Sequence, residues 1–229
     1  MLVIDFHSHI LPGIDDGSRN VEKSLGMLQI SASQGVDIIA ATSHFYATED
    51  RISSFLDRRQ NAFEELKQCL TEKDEYPEIV VGAEVAFFSG ISRAERLEDL
   101  TYQGTDLLLL EMPFSPWTKA DIDGMKVLLA HLERFLTIPG NKKKIYELLE
   151  LPVYVQINAE SFEQWGERRQ IFKMLKKKGM IFLGSDCHGV HHRAPNLIKG
   201  RNALEKKMGK AFMDEMDAQA LYLLNREER

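Results

Sequence analysis

The stretch Ile4-Asp-Phe-His-Ser-His-Ile-Leu-Pro-Gly-Ile-Asp-Asp-Gly17 concentrates side chains that hold metal ions. His7 and His9 follow a short apolar run, Leu2 to Ile4, that reads as a buried strand. Residues two apart in an extended strand share a face, so both imidazoles can aim at one ion. A turn carrying Asp15 and Asp16 comes next. One His-x-His is a weak signal, but ligand types recur beyond other apolar runs: His44, Glu84, Glu111, His131, Asp186 and His188. All seven histidines, His191 and His192 included, fall at or just past a predicted strand end. Any one of them is as readily structural; the set is not. Imidazole and carboxylate without thiolate suit zinc, manganese or iron. So many donors exceed what one ion uses, which implies two or three ions and at least one bridging carboxylate.

The elements that must position these residues alternate in type. Strands are expected over 36–42, 78–83, 106–110, 125–130, 152–157 and 180–184 after the opening run. Helices are expected from a cap at Ser18 or Asn20 to Gly35, over 52–70, 94–100, 141–149, 162–178, 196–207 and 211–224. Residues 112–124 are barely long enough for a parallel crossover, and with Pro113 and Pro116 they read as an irregular segment. About seven β-α units with continuous apolar strands suit a parallel sheet covered by helices. A barrel brings all strand ends to one mouth, which favours it over an open sheet here.

Composition narrows the function. The chain has 229 residues and a formal net charge of -6, which disfavours a general nucleic-acid binder. No apolar run approaches the ~20 residues that span a bilayer, and no secretory leader is seen. Two cysteines without metal-ligand spacing point to a cytoplasmic chain without disulfides, with no membrane insertion. No internal boundary is evident, so residues 1–229 read as one domain.

The set His7-x-His9, Asp15/Asp16, His44, Glu84, Glu111, His131 and Asp186-x-His188 resembles the polymerase and histidinol phosphatase (PHP) superfamily. The opening motif, Ala130-His131-x-Glu133-Arg134 and Gln156-Ile157-Asn158-Ala159 are most similar to its manganese-dependent protein tyrosine phosphatases of bacterial capsule and exopolysaccharide operons. The resemblance implies a distorted TIM-like (β/α)7 barrel and three divalent ions, manganese first, with iron or zinc as alternatives. The first ion would take His7, His9, Glu84 and Asp186. The second would share Glu84 and take Glu111 and His131. The third would take His44, His188 and either Asp15 or Asp16, of which Asp15 better matches the spacing from His9. The other would support a ligand from behind or act as a general acid for the leaving phenolate, the role given to Asp16. Arg134 and Arg193 match phosphate-binding arginines, whose planar guanidinium groups clamp phosphate. Phe45, Tyr46 or Trp117 would line an open mouth for a phosphotyrosine tail. The implied reaction is attack on phosphorus by hydroxide held between metal ions, and the implied partner is a bacterial tyrosine autokinase whose tail is the substrate. Leu132 stands where the family commonly has proline, and the loop before Met125 looks short.

Three other readings compete. Cys187 and Arg193 fit Cys-x5-Arg, the pattern of cysteine-nucleophile phosphatases. That pattern is short and leaves the other ligand types unexplained. The same metal site would also serve a small phosphomonoester such as histidinol phosphate, or a nucleic-acid end. A metal-binding regulatory module without catalysis is the third, but it would be expected to have lost ligands.

Overall fold

The computed structural model describes residues 1–71, 75–113, 122, 124–137 and 142–226. Trp117 and most of the 112–124 link lie outside the described residues.

Strand β1 (Ile4–Ser8) is buried along its whole length and pairs in parallel with β2 (Ile38–Ala41). Their register shifts between Asp5 and Ser8, an irregularity that falls at His7. Helix α1 (Val21–Ser33) joins them, and Asn20 Oδ1 caps it by accepting from Lys23 N at 3.0 Å. β2 stops at Thr42-Ser43 and the chain resumes as β3 (His44–Phe45). After α2 (Ile52–Gln68), β4 (Glu78–Val81) breaks likewise at Gly82-Ala83 and resumes as β5 (Glu84–Ala86). The expected helix over 94–100 is instead a 3-10 turn over Leu97–Leu100, because Arg96 at φ 63° lies outside helical space.

β6 (Leu108–Glu111), β7 (Val127–Leu129), α3 (Lys142–Leu149), β8 (Tyr154–Asn158), α4 (Trp165–Lys178) and β9 (Phe182–Gly184) follow. The chain then ends in α5 (Leu197–Met208) and α6 (Lys210–Leu223). Hydrogen bonding gives the orders β1-β2-β4 and β3-β5-β6-β7-β8-β9, all parallel. The ring closes where Asp186 N donates to His7 O at 2.7 Å and His9 N to Cys187 O at 3.0 Å. With β2/β3 and β4/β5 each counted as one broken stave, seven staves form a distorted barrel. The core is the apolar inside of this ring and its helix-facing side, from Phe6 and Phe182 to Leu109, Leu128 and Ile157. No helix among the described residues is long and apolar enough to cross a membrane.

Candidate metal centre

Parallel staves deliver their C-terminal ends to one mouth, and the ligand-type side chains gather there. His7 Nε2 lies 3.1 Å from His9 Nε2, 3.1 Å from Glu84 Oε2 and 3.6 Å from Asp186 Oδ1. His9 Nε2 is 3.3 Å from Glu84 Oε2 and 3.4 Å from Asp186 Oδ1. A tetrahedron of donors about 2.0–2.1 Å from a central ion has edges of about 3.3–3.4 Å. The triangle of His7, His9 and Glu84 donor atoms therefore suits one small divalent cation, with Asp186, which also pairs with Arg134 and Arg193, beside it.

Glu84 is the hinge between sets. Its Oε2 faces His7, His9 and His44 Nδ1, the last at 2.9 Å, while Oε1 lies 2.7 Å from His131 Nε2. Glu111 Oε1 is 3.7 Å from the same His131 nitrogen, and its donor atom groups with those of His44 and Glu84. A third group joins His9, Asp16, His44 and His188, with Asp16 Oδ1 3.5 Å from His44 Nε2 and 3.4 Å from His188 Nε2. Glu84 Oε2, His44 Nδ1 and His188 Nε2 are buried and make no well-aligned hydrogen bond, although the first two are close. Leaving such atoms unsatisfied costs about 1–3 kcal/mol each, a deficit that cations would remove. The donor set thus fits divalent metal binding.

Charge tells the same story. Burial opposes protonation of His7 and His9, yet surrounding carboxylates outweigh it and hold both imidazoles above their ordinary range. Burial would push Glu84 and Asp186 up, but the histidines, His7 foremost, hold both carboxyls well below theirs. The cluster calls for positive charge, which protons or a cation supply. His188 is the exception: burial, then His9 and Arg193, push it down to about 4, leaving a neutral imidazole. Its Nδ1 donates to Asp186 O at 2.9 Å, so the Nε2 lone pair faces the third group.

The residues behind the ligands form a continuous network that the sequence reading did not resolve. Gln156 Oε1 accepts from His131 N at 2.7 Å and faces His7 Nδ1 at 3.2 Å, which turns His7 Nε2 inward. Gln156 Nε2 donates to Asn158 Oδ1, and Asn158 Nδ2 to Asp186 Oδ2. The Gln-x-Asn alternation on β8 was the available signal, since both residues must share a face. Buried Glu133 accepts from Asn158 N and Ser161 Oγ, and burial pushes its carboxyl up to about 7. His131, Asp186 and Arg193 all have left-handed backbones, at φ 31°, 50° and 48°. Such strain costs on the order of 1 kcal/mol or more per residue and collects at functional sites. Gly184 is required by close approach: a Cβ there would meet His7 Cβ at 2.5 Å and Gln156 Nε2 at 2.6 Å.

Several expected residues take other positions. Asp15, expected as a ligand, turns both oxygens to protein donors. Its Oδ2 faces His9 Nδ1 at 2.8 Å and accepts from His44 N at 3.0 Å, while Oδ1 accepts from Gly17 N at 2.9 Å. Burial would raise its carboxyl, but the bond to His9 and the backbone bonds hold it below the ordinary range. Asp16, expected as an acid, is the aspartate in the third group. Phe45 is not at the mouth: adjacent to His44 in β3 it must face the other way, and it packs edge-on to Phe55 in the core. Tyr46 is at the mouth, stacked on His44 with centroids 5.3 Å apart. With Ile14, Asp16 and Arg58 it lines a cavity of about 420 Å3. Arg134 and Arg193 both reach Asp186, Arg193 Nη2 at 2.7 Å from Oδ1. His191 and His192 are exposed and outside the cluster. Cys187 is fully buried, and burial first, then Asp5, pushes its thiol far above the ordinary range. It cannot serve as the thiolate that Cys-x5-Arg chemistry needs.

The chain is similar to known proteins along most of its length. The family model described as "Capsular polysaccharide synthesis, CpsB/CapC" matches residues 3–222. The tyrosine-protein phosphatase CpsB of Streptococcus pneumoniae is 28% identical over 233 residues, spanning 90% of this chain and 91% of that protein. CpsB of Streptococcus agalactiae serotype III (strain NEM316) is 27% identical over 237 residues, spanning 93% and 94%. The tyrosine-protein phosphatase YwqE of Bacillus subtilis (strain 168) is 26% identical over 223 residues, spanning 90% and 85%. Among solved structures, one of the metal-dependent tyrosine phosphatases YwqE from Bacillus subtilis and CpsB from Streptococcus pneumoniae superposes with a TM-score of 0.80. That likeness, at 22% identity, covers 99% of this chain and 96% of the other. The phosphotriesterase homology protein of Escherichia coli, complexed with phosphate, shares the fold at a TM-score of 0.54, with 14% identity and 94% of each chain covered.

Proposed function

This chain belongs to the CpsB/CapC family of capsular polysaccharide synthesis, and on that premise we propose that it is a metal-dependent protein tyrosine phosphatase, a phosphoric monoester hydrolase. The observation that carries the reading is the approach of His7 Nε2, His9 Nε2 and Glu84 Oε2 to within 3.1–3.3 Å of one another, with the two oxygens of Glu84 shared between neighbouring sets. Relatives that share most of the chain are tyrosine-protein phosphatases.

Three divalent ions fit the three groups in this reading, with manganese preferred and iron or zinc alternatives. His7, His9, Glu84 and Asp186 hold the first. Glu84, Glu111 and His131 hold the second. Asp16, His44 and His188 hold the third, with Asp15 orienting His9 from behind, and the proton-donor role for Asp16 is set aside. Bound ions would supply an activated water near neutral pH and withdraw charge from the phosphoryl oxygens. Arg134 and Arg193 grip those oxygens, and Tyr46 offers a ring beside the phenyl group of the substrate. Phenolate is a better leaving group than an alkoxide, so no buried acid is required. In this reading residues 1–229 act as one domain, and the substrate in the cell is the tail of a bacterial tyrosine autokinase, through which the enzyme regulates capsule and exopolysaccharide synthesis.

The test is phosphate release from a phosphotyrosine peptide and from histidinol phosphate, by manganese-loaded protein and by Glu84→Gln. Peptide preference with loss in the variant supports the reading. Preference for histidinol phosphate would keep the site and overturn the substrate.

A further inference from the structure

The chain is acidic overall, yet one face reverses that charge. Helix α4 carries six basic residues and a single acidic one, and α5 carries four against one. Between them runs a groove of about 490 Å3 walled by the rings of Trp165 and Phe172 and edged by Arg168, Arg169, Lys206 and Lys207. Among the described residues no carboxylate lines it, and none of these four cations pairs with one. Trp165 is 68% exposed, an unusual position for the most costly side chain to leave in water, and Arg169 sits 5.7 Å over its ring. One 3-10 turn (Ala159–Phe162) separates the end of β8 from this helix, so the groove begins on the same end of the barrel as the metal cluster. Lys199 Nζ pairs with Glu163 at 2.7 Å and ties the start of α5 to that corner.

We infer that this groove is an accessory docking site for an acidic, aromatic-bearing stretch of the polypeptide that presents phosphotyrosine to the metal centre. The inference rests on the phosphatase reading for the identity of that polypeptide. Charge complementarity selects the occupant: four unpaired cations demand an anionic partner, and two ring walls demand flat apolar side chains between the charges. The concave shape favours a chain segment over a lipid surface, which would need an apolar element that protrudes. Docking here would act on capture of the substrate and leave the chemical step alone.

Two measurements on the full chain test this. The first follows Trp165 emission during titration with an unphosphorylated Glu/Asp/Tyr-rich peptide, with Trp165→Phe as the control for Trp117. A saturable change that Arg169→Glu/Lys206→Glu removes supports the docking site. A flat titration, or a response to anionic phosphatidylglycerol vesicles but not to the peptide, overturns it. The second compares hydrolysis of a short phosphotyrosine peptide with one carrying an acidic extension. The double variant is expected to raise KM for the extended peptide about tenfold at low salt, with kcat and the short peptide unchanged. Equal KM values in variant and parent overturn the inference while leaving the phosphatase reading intact. If no phosphotyrosine peptide is hydrolysed, the phosphatase reading falls and the emission titration alone judges the groove.

Discussion

Asp15 and Asp16 are neighbours in sequence, and the geometry assigns them different work, which makes their substitution by asparagine a sharp test. Asp15 takes three hydrogen bonds, from His9 Nδ1 and His44 N on one oxygen and from Gly17 N on the other. An amide can keep the two on its oxygen, but its NH2 then opposes the Gly17 N–H. Asp15→Asn therefore loses one bond outright, about 1 kcal/mol, and the charge assistance on the His9 bond, about 1 kcal/mol more. The Gly17 bond is lost with and without ions and lowers stability, whereas the weakened hold on His9 predicts that divalent-ion affinity falls about 10-fold, the low end of the 10–100-fold typical of groups that orient ligands. The number of ions bound at saturation stays the same. Asp16→Ala removes an atom that faces both His44 and His188, so it loses one ion per chain. Calorimetric titration with manganese and elemental analysis after gel filtration read both quantities. If Asp15→Asn lost an ion and Asp16→Ala kept all of them, the assignment drawn from these contacts would be refuted.

Other substitutions have equally definite outcomes. Cys187→Ser keeps phosphatase activity within about twofold, because the buried thiol touches no reacting group; a dead variant would revive the cysteine mechanism. Gln156→Leu leaves His131 N and Asn158 Oδ1 without their partner, costing about 2–4 kcal/mol of stability and most of the activity, read by denaturant titration and steady-state kinetics. Gly184→Ala forces a methyl against His7 and Gln156 and lowers Tm by on the order of 5 °C, measured by calorimetry. Carboxylates hold His7 and His9 above their ordinary range, so protons compete with ions for these nitrogens. Metal binding therefore weakens as pH falls and releases protons, which titration in buffers of different ionisation enthalpy detects.

Much of this site could be read in the sequence because barrel strands turn position along the chain into position in space. Apolar runs that end in His, Glu or Asp bring those residues to one mouth, whatever the helices between them do. What stayed hidden depends on backbone detail that periodicity does not encode. The breaks at Thr42-Ser43 and Gly82-Ala83 divide two staves, and Glu84 opens β5 instead of closing a strand. Asp15 and Asp16 lie in a turn whose shape is fixed by the approach of Gly17 to His9, where a Cβ would meet His9 O at 2.4 Å. Spacing alone could not choose between them. Phe45 is different: strand alternation beside His44 already put it on the core side, and the attraction of an aromatic near the mouth overrode that rule. The roles of Gln156 and Asn158 were missed since amides carry no charge to flag them, although their alternation on β8 was visible.

The central claim is that phosphotyrosine hydrolysis depends on metal ions held at this mouth. The most direct measurement is phosphate release from a phosphotyrosine peptide before chelation, after removal of metal and chelator by gel filtration, and after readdition of manganese. The account predicts loss of activity on stripping and recovery on readdition, with the Cys187→Ser chain behaving in the same way. Activity that survives complete stripping, verified by elemental analysis, would contradict it.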